Sequence, residues 1–355
     1  MDGSRKHGTC PGSEGSDGAR PARERVCRFP ARIRCGKPPG PRRPGATQQP
    51  RRRVDEDEDP RCRWVVLGAL ALVWIAGCAT PATTNPAVAS PGVVAAAPLA
   101  VQFPSGTVRL HGLLWKPDGR GPFPAVLFSH GSGGANADET AGMPITEAAA
   151  RLAPIFTARG YAFFHPFRRG QGPSSDAAPF LQERLAREEQ AHGKEARQQL
   201  QDTLLQTEQL DDVLAALTFL QRTEGIDPSR VVLVGNSFGG QLTLLAAARN
   251  PTIRAAVTFA AAAGSWSRSE EVRRLLREAV GRVACPIMLV QWRNDFSIEP
   301  SIALGEVRGS SGRPPVVVLY PPTGSKPGDG HNGIYLAAAQ WEPDVFRFLG
   351  QALAR

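Results

Sequence analysis

The chain has 355 residues but only 6 cysteines, 3 methionines and 3 tyrosines. Five cysteines, Cys10, Cys27, Cys35, Cys62 and Cys78, fall at or before position 78, and Cys285 alone follows. No disulfide can therefore staple the later part, and a domain of that size needs none. No C-x-x-C and no H-E-x-x-H occurs, so the zinc signatures are missing and no cofactor or metal is expected. Long hydrophobic runs are scarce too. Trp64–Gly77 is an apolar stretch of 14 residues, short for a spanning helix. The net charge of +9 is unevenly placed: residues 1–63 hold 16 Lys/Arg against 9 Asp/Glu, and the remainder holds 26 against 24. The basic excess lies outside the part with a core, which excludes a nucleic-acid-binding domain there.

Residues 1–60 are rich in Pro, Gly and Arg and lack apolar periodicity, the composition of a disordered basic extension. A translation start further downstream would leave this segment unmade. Arg61-Cys-Arg63 followed by the run Trp64–Gly77 has the form of a signal peptide over 61–78. Ile75-Ala-Gly-Cys78 resembles the lipobox of bacterial lipoproteins. That resemblance implies cleavage before Cys78, lipid on its thiol and an exported protein, in the cell envelope or periplasm. An uncleaved anchor helix or an ordinary secretory signal would also export the chain. Residues 79–99, rich in Ala, Pro and Thr, read as a tether between membrane and domain.

The remainder is organised around Val231-Val-Leu-Val-Gly-Asn-Ser-Phe-Gly-Gly240. Four apolar residues predict a buried strand, and Gln241–Ala248 predicts a helix. Gly235-Asn-Ser-Phe-Gly239 is thus G-x-S-x-G at a strand-to-helix junction, the setting of a nucleophile elbow. So tight a turn strains the serine backbone and leaves no room for a Cβ at Gly235 or Gly239. The helix behind Ser237 directs free N–H groups at the place where a negative charge would develop. A chance G-x-S-x-G is common in a chain with 37 glycines; the strand and helix around this one set it apart.

Upstream, Val108–Lys116 alternates as a strand, and Pro124–Ser129 is a buried strand ending in His130-Gly-Ser-Gly-Gly134. Here the chain resembles the α/β-hydrolase superfamily. The resemblance implies an oxyanion donor at the N–H of Ser132, or of Gly131, partnered by that of Phe238. Residues 144–159 read as a helix and Tyr161–His165 as a strand. Arg169-Gly-Gln-Gly-Pro-Ser174 resembles a loop that in this superfamily braces the site; Arg168 or Arg169 could alternatively meet a substrate carboxylate. His165 reads as a packed histidine. Residues 179–223 are helix-prone with a break at His192-Gly193. Their second half should pack on the sheet, and their first is either a small lid or a solvated extension.

Ile253–Ala260 and Cys285–Trp292 read as further strands, with a helix over 268–280 between them. Asp295 follows the second strand, where the superfamily places the acid that orients a histidine; Glu299 is the competing carboxylate. Pro315–Tyr320 reads as the last strand. His331 lies beyond it on a glycine-rich loop, ahead of a helix over about 334–353. The order Ser237, Asp295, His331 is the order this fold uses.

The expectation is therefore an α/β-hydrolase domain over 100–355, with a mostly parallel eight-stranded sheet flanked by helices and no large cap. Size and the missing cap resemble the dienelactone-hydrolase-like group, whose true members use a cysteine where this chain has Ser237. The implied activity is hydrolysis of a small-molecule carboxylic ester, or of a lactone or thioester, through an acyl-enzyme on Ser237. A peptidase or acyltransferase would use the same residues, and a non-catalytic envelope lipoprotein could keep the fold. No nucleic-acid partner is expected; the membrane would be reached through Cys78 or the signal helix.

Overall fold

A computed structural model describes residues 97–354. The basic extension, the signal peptide with Cys78, and the tether up to residue 96 lie outside the described residues. Strand β1 (Leu99–Ser105), which the sequence pattern did not announce, pairs antiparallel with β2 (Val108–Trp115). The buried strand β3 (Phe123–Ser129) leads to a small antiparallel ribbon of β4 (Glu139–Thr140) and β5 (Met143–Pro144), then to helix α1 (Ile145–Thr157) and strand β6 (Ala162–Pro166). A 3₁₀ turn at Gly172–Ala177 precedes three helices, α2 (Leu181–His192), α3 (Lys194–Gln206) and α4 (Glu208–Arg222).

The second half alternates strand and helix. It runs β7 (Ile226–Asn236), α5 (Phe238–Arg249), β8 (Ala255–Phe259), α6 (Glu270–Arg282), β9 (Ile287–Trp292), α7 (Glu299–Gly305) and β10 (Val316–Tyr320). Three helices follow: α8 (Pro327–His331), α9 (Gly333–Leu336) and α10 (Ala338–Leu353).

The main sheet has eight strands in the order β1-β2-β6-β3-β7-β8-β9-β10. Pairing is antiparallel from β1 through β2 to β6 and parallel from β6 to β10. Alternate residues of β7 serve two cores: Val231 and Leu233 pack with α4, α5 and α6, while Val232 and Val234 pack with α1 and α10. Central strands covered on both faces are what their unbroken apolar runs require. The chain order reverses beside β3 and β7. The carboxyl ends of these strands, Ser129 and Asn236, therefore open onto the crevice where such sheets place ligands.

Four local expectations change. The helix anticipated over Lys194–Arg222 breaks at Thr207 (φ −112°, ψ −112°). The Thr203 and Thr207 hydroxyls donate to carbonyls one turn back, at 2.9 and 2.8 Å, a habit that bends helices. His331 ends a short helix instead of riding a loop, and the terminal helix is interrupted at Ala337. Helix α2 is not a free extension: it buries Leu181 and Leu185 in the same core as Leu204 and Leu205, and leaves its outer face to solvent. Among the described residues no helix is long and apolar enough to cross a membrane.

Candidate active site

Ser237 sits between β7 and α5 with φ at 56° and ψ at −118°, in the left-handed region that non-glycine residues avoid. Its neighbours hold it there. The Ser237 N–H donates to the Phe259 carbonyl at 2.8 Å, and its own carbonyl accepts from Gly240 at 3.0 Å. A Cβ on Gly235 would overlap the Gly239 carbonyl, and one on Gly239 would overlap the carbonyls of Ser129 and His130. The two glycines therefore let β7, α5 and the end of β3 close on one another beneath the serine.

His331 reaches this serine from α8. Its Nε2 lies 2.8 Å from Ser237 Oγ and its Nδ1 lies 2.8 Å from Asp295 Oδ1. Gly333, two residues on, sits against the Trp292 ring with no room for a side chain, which lets the segment lie tight against the end of β9. Asp295 comes from the turn after β9, and its side chain is fully buried. The Phe296 N–H donates to Asp295 Oδ1 at 2.6 Å and Gln291 Nε2 donates to Oδ2 at 2.8 Å. Gln291 is in turn fixed by Ser301 Oγ, which donates to its Oε1 at 2.6 Å. The competing carboxylate, Glu299, is exposed at the start of α7.

With Asp295 accepting from Nδ1–H, the Nε2 lone pair faces the serine hydroxyl. This imidazole can take that proton and deliver it elsewhere, while the carboxylate holds the tautomer. Gln291 and Phe296 escaped the sequence reading. A lone glutamine inside the apolar run Ile287–Trp292, four residues before an aspartate, was the signal available for the first.

The loop after β3 is held from below. Arg168 is 1% exposed and spends its guanidinium on four acceptors. Nη1 donates to the His130 carbonyl at 2.8 Å, Nη2 to the Gly131 carbonyl at 2.6 Å and to Gln171 Oε1 at 3.3 Å, and Nε to Gln209 Oε1 at 3.0 Å. Burial pulls this guanidinium down to about 9, so it stays charged at neutral pH. In a trans peptide the N–H points opposite the carbonyl. With both carbonyls turned down onto Arg168, the Gly131 and Ser132 N–H groups face away from it; both residues line the same cleft as Ser237. The Phe238 N–H, first of α5, has no partner within its helix.

Arg169 is committed elsewhere: its Nε and Nη2 grip both oxygens of Asp212. Arg168→Met should lower kcat for an ester about 100-fold with little change in KM, the scale of one lost oxyanion donor. Steady-state kinetics on the purified variant check it; a rise in KM alone would count against this bracing role.

His130 and His165 lie under the same loop, both fully buried, with rings stacked 5.5 Å apart at 9°. Burial brings His165 from the ordinary 6.5 to about 3, and it holds His130 well below its usual value, with Arg168 and His165 adding repulsion. Both are therefore neutral in the fold. The unfolded chain binds protons on both as pH falls below about 6.5, so stability is full above that value and declines toward acid. The slope should reach about 1.4 kcal/mol per pH unit for each imidazole. Urea unfolding at pH 7, 6 and 5 measures it, and His165→Phe should remove one imidazole's share.

An open cleft of about 260 Å³ runs past these groups, bordered by Gly131–Gly134 on the loop after β3 and by Thr140–Gly142 on the ribbon. Ser237 and His331 line it with Asn236 and Asn332, and no Lys, Arg, Asp or Glu does. Helix α2 stands beside it, with the Phe180 ring against Gly133 and Gln182 Nε2 at 3.5 Å from the Ser132 carbonyl. Among the described residues no group of His, Cys, Asp and Glu could hold a metal.

The sheet order, the strained turn after β7 and the Ser237–His331–Asp295 row define an α/β-hydrolase. Residues 110–321 match the profile of the dienelactone hydrolase family, and the chain belongs to that family. It is 32% identical over 162 residues to the quorum-quenching protein AidA of Acinetobacter baumannii, a match covering 46% of this chain and 43% of that one. Among solved structures it resembles Est1E from Butyrivibrio proteoclasticus, solved with ferulic acid bound (17% identity, TM-score 0.50, 72% of this chain and all, 100%, of the other). It also resembles the acylaminoacyl peptidase of Pyrococcus horikoshii (18% identity, TM-score 0.52, 73% of this chain and 42% of that one). At such identities the structural likeness speaks for the fold. The chain spans less than half the length of the curated relative it matches.

Proposed function

We propose that the protein is a serine hydrolase that cleaves a carboxylic ester or lactone by way of an acyl-enzyme on Ser237. The observation that carries this reading is His331 standing 2.8 Å from both Ser237 Oγ and Asp295 Oδ1. His331 Nε2 takes the Ser237 proton as Oγ attacks the ester carbonyl. The N–H groups of Phe238 and of Ser132 receive the oxyanion. His331 then protonates the departing alcohol, and water, deprotonated by the same nitrogen, releases the acid. A donor lost from such a hole costs about 3 kcal/mol of transition-state stabilisation.

The cleft is small, about 260 Å³, which favours short acyl chains. The test is a panel of p-nitrophenyl esters of graded acyl length beside a peptide anilide, run with a fluorophosphonate probe. Ester release that fades with acyl length, and probe attached at Ser237, is the expected result. Cleavage of the anilide but of no ester would make the protein a peptidase, and an unlabelled Ser237 would make it a non-catalytic protein of the same fold.

The signal-like segment 61–78 supports an exported protein held at a membrane by lipid on Cys78, with a small-molecule ester as its soluble partner. Fatty-acid label incorporated by the full chain in a bacterial host, and lost in Cys78→Ala, is the expected outcome; label retained in that variant would end the proposal.

A further inference from the structure

Asn236 is the residue before the nucleophile, and its side chain has no evident structural employment. It is 2% exposed, yet it borders the catalytic cleft. Its Oδ1 is buried and has no hydrogen-bond partner. Buried amide oxygens are nearly always paired, and leaving one unpaired forfeits the hydrogen bond it made with water. The final residue of a parallel strand packed on both faces would more cheaply be apolar: Val232 and Val234, on the same side of β7, are. An acceptor kept at this expense, beside a cleft, is suited to a donor that arrives with the ligand.

The surroundings narrow what that ligand is. No lysine or arginine lines the cleft. The two nearby arginines are spent, Arg168 on the carbonyls and amides beneath the loop and Arg169 on Asp212. A carboxylate on the acyl group would thus find no counter-charge. Asn236 and Ser237 are neighbours in the chain and line the same cleft. The group that meets Asn236 is therefore one carried close to the carbon that Ser237 attacks.

We infer that Asn236 is a specificity-determining residue that selects uncharged esters or lactones carrying a hydrogen-bond donor, a hydroxyl or an amide N–H, on the carbon next to the scissile carbonyl. The inference rests on the ester-hydrolase reading above. The donor takes the orphaned Oδ1, and the acyl carbon is thereby oriented toward Ser237 Oγ. No new bond chemistry is involved; the effect is on which acyl group is held in line for attack.

The test compares three phenyl esters, lactate, 2-methoxypropionate and propionate, each corrected for its hydroxide-catalysed rate. Lactate and methoxypropionate share the electron-withdrawing oxygen, and only lactate offers a donor. The wild-type chain should prefer lactate over methoxypropionate in kcat/KM by about tenfold or more, the scale of one hydrogen bond. In Asn236→Leu that ratio should fall toward one. Should that variant not fold, Asn236→Asp, which keeps an acceptor of the same shape, should retain the preference. A wild-type ratio near one, a ratio unchanged in Asn236→Leu, or a ratio lost in Asn236→Asp overturns the inference. Any of these, with ester turnover that still vanishes in Ser237→Ala, leaves the hydrolase reading standing. No Ser237-dependent turnover of any of the three overturns both.

Discussion

Replacing Ser237 with alanine should lower ester turnover by about 10⁵- to 10⁶-fold, the scale at which nucleophile removal acts in serine hydrolases. The change deletes one oxygen. Alanine at φ 56° is no more strained than serine, so the turn between β7 and α5 should persist, as should the thermal transition. The Phe238 and Ser132 N–H groups and the binding cleft remain, and they sustain a residual rate above that of water. Stopped assays with high enzyme concentration, alongside a fluorophosphonate that no longer labels the protein, make the measurement. Turnover within tenfold of wild type would place the reacting group elsewhere.

Asp295→Asn should cost about 10⁴-fold in kcat with the fold intact. The carboxylate accepts from three donors: His331 Nδ1, the Phe296 N–H and Gln291 Nε2. An asparagine must set its NH₂ against one of them. If the amide nitrogen faces His331, the ring is driven to the tautomer that carries its proton on Nε2. That nitrogen then donates toward Ser237 Oγ and can no longer accept its proton. The loss should appear in kcat and leave KM within a few-fold, because nothing in the substrate cleft has changed. A drop under tenfold would show that the imidazole keeps its orientation without Asp295, and that the turn after β9 serves only the fold.

The two outcomes are separable from damage to the frame. Arg168 and the glycines of the elbow act on backbone position, so their variants should disturb stability and turnover together. Ser237→Ala and Asp295→Asn should disturb turnover alone. The exposed Phe296 ring, 4.9 Å from that of His331, covers one face of the imidazole and does not intervene in either change.

Much of the architecture could be read from residue order. Runs such as Val231–Val234 and Ile287–Val290 are too uniformly apolar for a half-exposed sheet, and they alternate with amphipathic helices, which dictates parallel strands covered on both sides. The edge strand β1 was not legible because Leu99–Ser105 is half exposed and opens on Ala and Val that continue the composition of the preceding segment. The break at Thr207 was hidden for a similar reason: Thr203 and Thr207 stand among strong helix formers, and the bend their hydroxyls permit is used because α3 packs beside α2 while α4 lies on the sheet.

At the site, the residue types and their order along the chain were local information. A serine between two glycines at a strand end, an aspartate after a later strand and a histidine after the last could each be found without coordinates. What the linear order does not contain is distance. Ser237 and His331 are 94 residues apart, and they meet because β7 and β10 run parallel in the same sheet, so the segments that leave their carboxyl ends, with Asp295 after β9 between them, gather on one edge. The bond from His331 to Asp295, the two carbonyls gripped by Arg168, and the unpartnered Oδ1 of Asn236 depend on segments brought together from different strands. Local pattern determined which groups this protein possesses; packing of the sheet decided which of them touch, since contact between distant residues exists only once the layers have closed.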